Sequence, residues 1–186
     1  MKIFATAVLS IFLLIFVVLV SAADKPYAGQ QARGVKALSD QETADYLEGH
    51  GMGLSKVAEL NHYPGPRHVL DQADDLELSA EQLAKAEAIW EGMDSKARAL
   101  GTMIVTKENV LERMYSTGAA TPADTRTLVD EIARLQADLR YTHLAAHLSM
   151  RSVLSTNQVA KYDELRGYSD SPAPAAEHRP TQRLHL

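Results

Sequence analysis

From Ser79 to Ser116 the residues Leu83, Ala86, Trp90, Met93, Ala97, Leu100, Ile104, Leu111 and Met114 recur at alternating steps of three and four, with Lys107 the one polar interruption. That spacing keeps one face of an α-helix apolar over its whole length. At about 1.5 Å per residue such a helix runs roughly 55 Å, too long for an ordinary globule to cover, so it needs a partner alongside. The chain supplies one. Ser116-Thr117-Gly118-Ala119-Ala120 reads as a turn, and Thr121, Pro122 and Asp124 restart a helix as cap, first position and third position. Leu128, Ile132, Leu135, Leu139, Thr142 and Ala146 then form a return stripe. Two long helices joined by a short loop lie antiparallel, which predicts a coiled-coil-like helical hairpin.

Shorter elements flank it. Ser39 and Glu42 form a capping box that opens a helix to Glu48, with Ala44 and Leu47 on one side. Gly49-His50-Gly51-Met52-Gly53 ends that helix because of its three glycines. A short helical piece from Leu54 to Leu60 follows, then a break at Asn61-His62-Tyr63-Pro64-Gly65-Pro66, then a helix from about Pro66 to Asp75. A last helix begins at Ser155, carries Val159, Tyr162 and Leu165, and ends near Gly167. No stretch alternates with period two, so the expected class is all-α, with no sheet.

Two of these helix starts share one pattern. Leu78-Ser79-Ala80-Glu81-Gln82 and Leu154-Ser155-Thr156-Asn157-Gln158 are both Leu-Ser-x-x-Gln, standing on either side of the hairpin. In each, the serine oxygen can accept the N–H of the third helical residue, and the glutamine there can reach back to the serine N–H. The bland reading is a pair of helix caps.

Lys2 followed by the apolar run Ile3 to Val20, with Val20-Ser21-Ala22 and Ala23 behind it, reads as a secretory signal peptide over residues 1–22, with an uncleaved membrane anchor as the alternative. The chain has no cysteine, which excludes disulfides, thiolate metal ligands and cysteine nucleophiles. Its net charge of −5 does not suit nucleic acid. Residues 23–38 read as a flexible lead-in and residues 39–168 as one helical domain. Residues 169–186, with Pro172, Pro174 and Pro180 and no apolar period, read as a disordered tail.

Taken together, the paired Leu-Ser-x-x-Gln copies around a long hairpin, the export signal and the missing cysteine resemble the LTxxQ-motif family of periplasmic proteins, the Spy/CpxP-like chaperones and related heavy-metal-responsive proteins. The likeness runs from about Gly49 to Tyr168, with serine in place of the usual threonine in both copies. It implies a bent hairpin with shorter flanking helices, two chains pairing as a homodimer into a curved cradle, and a periplasmic location. One departure is charge: Spy-like chaperones present a positive cradle, whereas this chain is acidic overall.

His143 and His147 stand four apart on the return helix, a spacing that lets two imidazoles hold one zinc or copper ion. Leu144 occupies the place of the zincin glutamate, so the general base of a metalloprotease is missing. On a helical wheel they lie about 40° and 80° from Leu139, at the edge of the apolar stripe, and the bland reading, which the wheel favours, is boundary residues hydrogen-bonded across the hairpin or to the N-terminal segment. Further donors are His50, Met52, His62 and His68, with glycines beside His50 and Met52; the alternative there is a tight loop with Met52 as a core plug. No catalytic residues are expected, since the chain has neither a Gly-x-Ser-x-Gly elbow nor a phosphate-binding loop.

The first functional expectation is a non-enzymatic, ATP-independent envelope-stress chaperone that binds exposed apolar segments of unfolded or misfolded periplasmic proteins and requires no cofactor. The second is a zinc- or copper-binding sensor or accessory protein in heavy-metal resistance. The third is a regulator docking on a membrane sensor kinase, as CpxP-like proteins do.

Overall fold

The computed structural model describes residues 25–168. The expected signal peptide and C-terminal tail lie outside the described residues. Among the described residues, six α-helices and one short 3-10 turn make up the regular structure, with no strand. We label them α1 (Asp40–Leu47), α2 (Lys56–Glu59), α3 (Pro66–Asp71), α4 (Ala80–Ser116), α5 (Pro122–Val153) and α6 (Thr156–Arg166). None is long and apolar enough to cross a membrane.

The hairpin of α4 and α5 starts and stops where its caps dictate. Ser79 accepts from the Gln82 N–H, and Thr121 accepts from the Asp124 N–H with Pro122 at the first position. Ala97, Leu100, Ile104 and Leu139 form a mid-hairpin core, joined by Tyr46 and Leu54 from the N-terminal segment and by Leu135. Lys107, the break in the stripe, reaches across to Glu131 at 2.8 Å, so a polar residue at the seam finds a partner on the facing helix. At the base of the hairpin Val69, Leu76, Ala86, Met150, Leu154, Val159 and Tyr162 make a second core.

The two short elements come out shorter than the sequence suggests. α2 covers only Lys56–Glu59, and α3 ends at Asp71, after which residues 72–77 turn and Glu77 takes a positive φ of 51°. Leu76 is buried in the base core, so packing of that leucine overrides a further helical turn. Leu83 and Leu165, read as core positions, are 36% and 38% exposed. Within residues 25–38, Val35 and Leu38 are buried, and Lys36 pairs with Glu112 on α4.

Segment 40–68 covers one face of the hairpin. α1 crosses α4 closely because Gly101 has no side chain: a Cβ there would stand 1.8 Å from the Tyr46 carbonyl oxygen. Gly49, at φ 70° and packed against Ala97 and Arg98, then reverses the chain so that residues 50–66 run over α5. This crossing creates the site described next.

Candidate functional site

The two Leu-Ser-x-x-Gln copies meet. Each forms its own capping box, the serine N–H donating to its glutamine Oε1 at 3.0 Å for Ser79 to Gln82 and 2.9 Å for Ser155 to Gln158. Gln82 Nε2 also donates to Gln158 Oε1 at 2.8 Å and to the Val153 carbonyl at 3.0 Å. Gln158 Nε2 donates in return to Gln82 Oε1 at 3.1 Å and to the Leu76 carbonyl at 3.1 Å. Every donor and acceptor site of both amides is engaged. Leu154 is buried and Leu78 half-buried in the base core beside this pair. The pattern is therefore a reciprocal clasp that pins the start of α6 to the start of α4.

Under segment 48–68 lies a cavity of about 540 Å³. Its wall holds His143 and His147 from α5, His50, Met52 and His68 from the covering segment, and Trp90 and Met93 from α4. Five of the six donors picked out from the sequence thus share one cavity. His62 does not: its Nδ1 pairs with Asp163 at 2.6 Å. His50 stands at the edge, with ring nitrogens 2.9 Å from Asp45 and 3.3 Å from Glu48.

His143 and His147 are 3% and 6% exposed, not at the margin of a stripe, because the covering segment closes over that side of α5. A carbonyl can only accept, so the 2.7 Å contact from His147 Nδ1 to the Tyr63 oxygen puts a proton on Nδ1, and in the neutral ring the lone pair is then on Nε2. Gly65 keeps that edge of the ring open, since a Cβ there would press on Cε1 at 3.1 Å and Nε2 at 3.3 Å. His143 Nε2 is buried with no hydrogen-bond partner. Burial holds the His143 pKa below the usual imidazole value, and the neighbouring His147 lowers it further. Burial also lowers that of His68, with Arg166 adding to the effect. For His143 and His68 both shifts favour the neutral ring, the form that donates a lone pair.

Glu59, which the sequence reading passed over, anchors the far wall. It accepts from Tyr162 Oη at 2.5 Å and Tyr168 Oη at 3.3 Å, and lies 3.4 Å from Arg166 Nε and 3.6 Å from His147 Nδ1. Tyr162 Oη also accepts the Gly65 N–H, and burial together with the Glu59 bond raises its pKa. Met52 adopts φ 43°, a left-handed conformation that costs a β-carbon residue about 1 kcal/mol and recurs at binding sites. Trp90 and Met93, read as core positions, line the cavity half-buried. No local signal marks Glu59 or Gly65, because their partners are distant in sequence.

Among the described residues, no three histidine, aspartate or glutamate side chains gather into a ready cation cage. Comparison with known protein families, with curated proteins and with solved structures found no match.

Proposed function

We propose that this chain is a non-enzymatic, exported stress protein whose working part is the cavity, and that it binds a transition-metal ion there as a sensor or accessory of metal resistance. The observation that carries this reading is the pair His143 and His147. They stand one turn apart and nearly fully buried; His143 Nε2 has no hydrogen-bond partner, and His147 is held through its Nδ1 on the Tyr63 carbonyl, which turns Nε2 to the other side of the ring. A buried imidazole nitrogen without a partner is costly, and a bound ion would satisfy it. The bond from His147 Nδ1 to the Tyr63 carbonyl is the outer-shell arrangement that fixes a ligating ring in its tautomer and orientation. The resemblance to the heavy-metal-responsive branch of the LTxxQ-motif family points the same way.

Titration of zinc and copper into the purified protein and into His143→Ala/His147→Ala tests it. Binding tighter than about micromolar that the double variant loses is expected; equal binding by both proteins would contradict it.

A chaperone reading has support of a different kind. The face of the hairpin turned away from the covering segment exposes Met103 and Val110 on α4 and Tyr141 and Leu148 on α5. Such residues could shield apolar client segments or seat a second chain. Suppression of client aggregation, lost on Tyr141→Glu/Leu148→Glu, would favour it.

A further inference from the structure

The donor set of the cavity discriminates between ions. Zinc in a protein site takes four nitrogen, sulfur or oxygen donors, commonly with a carboxylate or thiolate among them. The carboxylates on this wall already have partners: Glu59 holds Tyr162 and Arg166, Asp94 holds Arg98 at 2.7 Å, and Glu48 meets His50. The chain has no cysteine, so methionine is the only soft sulfur donor it can offer. Of its six methionines, Met52 and Met93 both line this cavity, one from the covering segment and one from α4. Met52 is held there between Gly51 and Gly53 in a backbone conformation that methionine rarely adopts. Thioether and imidazole together favour a soft ion, and a singly charged one loses less hydration on entering a wall of neutral ligands than a doubly charged one.

We propose that His143, His147 and the thioethers of Met52 and Met93 hold a soft monovalent cation, Cu(I) or Ag(I), in preference to zinc. This rests on the metal-binding reading above. The unpartnered Nε2 of His143, on a side chain 3% exposed, supplies the fixed end of the site. Met52, 38% exposed at the mouth, supplies the end through which an ion enters.

The test uses the purified protein with Ag(I), with Cu(I) under anaerobic conditions against a chromophoric Cu(I) chelator, and with Zn(II) against a zinc chelator. Trp90, the single tryptophan of the chain, lines the cavity and reports occupancy through its fluorescence. The expected result is one Ag(I) or Cu(I) per chain with a change in Trp90 emission. Met52→Leu/Met93→Leu should weaken it by at least the roughly ten- to hundredfold that loss of an outer-shell partner costs, while leaving zinc binding unchanged. The leucine variant keeps the apolar volume, so the test does not depend on the folding of a histidine variant. If zinc binds tightly and the leucine variant binds Ag(I) and Cu(I) as well as the wild type does, the soft-ion assignment is overturned while the metal-binding reading stands. If no ion binds tighter than about micromolar, both fall.

Discussion

Gln82 and Gln158 hydrogen-bond to each other in both directions, 2.8 Å from Gln82 Nε2 to Gln158 Oε1 and 3.1 Å in return, although 76 residues separate them. Each amide also holds the serine N–H of its own helix and a carbonyl beside the other helix start. Removing one amide strands part-buried partners on both sides. Gln82→Ala should therefore destabilise the fold by about 2 kcal/mol, and the double change Gln82→Ala/Gln158→Ala should cost less than the sum of the singles by at least about 0.5 kcal/mol. Urea unfolding of the four proteins measures this coupling. Strict additivity would mean that the two boxes act only as separate caps. The caps themselves predict about 1 kcal/mol each for Ser79→Ala and Ser155→Ala.

Gly101 separates packing from propensity. In an isolated helix, alanine would be better than glycine by about 1 kcal/mol. Here its Cβ would stand 1.8 Å from the Tyr46 carbonyl, and α1 must move away. Gly101→Ala should lower stability by about 1–3 kcal/mol despite the propensity gain. A thermal melt showing stabilisation would contradict the close crossing of α1 and α4.

The sign of the pH dependence follows from His143. Its folded-state pKa lies below the ordinary value of about 6.5, mainly through burial. Between the folded and unfolded values the unfolded chain binds more protons, so stability is full above about pH 6.5 and is lost as pH falls toward the folded value. His68 shifts in the same direction but is half-exposed, so its share is smaller. Urea midpoints of chelator-treated protein should fall between pH 7.5 and 5.5, a range chosen to bracket about pH 6.5. The fall should be smaller for His143→Leu. An equal fall in both proteins would remove His143 from this role.

The outer face of the hairpin leads to an assembly prediction. Tyr141 and Leu148 are seven residues apart on one side of α5, 64% and 56% exposed, and point away from the stripe that meets α4. A second copy covering this face would bury an interface of about 1,600 Å² or more in total. Sedimentation should give a dimer at micromolar concentration that Tyr141→Glu/Leu148→Glu converts to monomer. A wild-type monomer would leave the face uncovered.

What was legible in the sequence was what local rules govern. Ser79, Thr121-Pro122 and Ser155 place three helix starts to the residue, because a cap and the helix it opens are neighbours in the chain. The three-four stripe likewise foretells the pairing of α4 with α5. His143 and His147 look like edge residues on a wheel of α5 alone, and they are buried only because residues 50–66 pass over them. The same limit hides the Gln82 to Gln158 bonds, the need for glycine at position 101 and the role of Glu59. Each depends on a contact that no periodicity records.

The most direct test of the central claim is nitrogen-detected NMR of the histidine rings during ion titration. The account expects the Nε2 signals of His143 and His147 to shift together as one equivalent of ion is added, while the His147 Nδ1–H goes on donating to the Tyr63 carbonyl. Binding that leaves both α5 ring signals unchanged would contradict it.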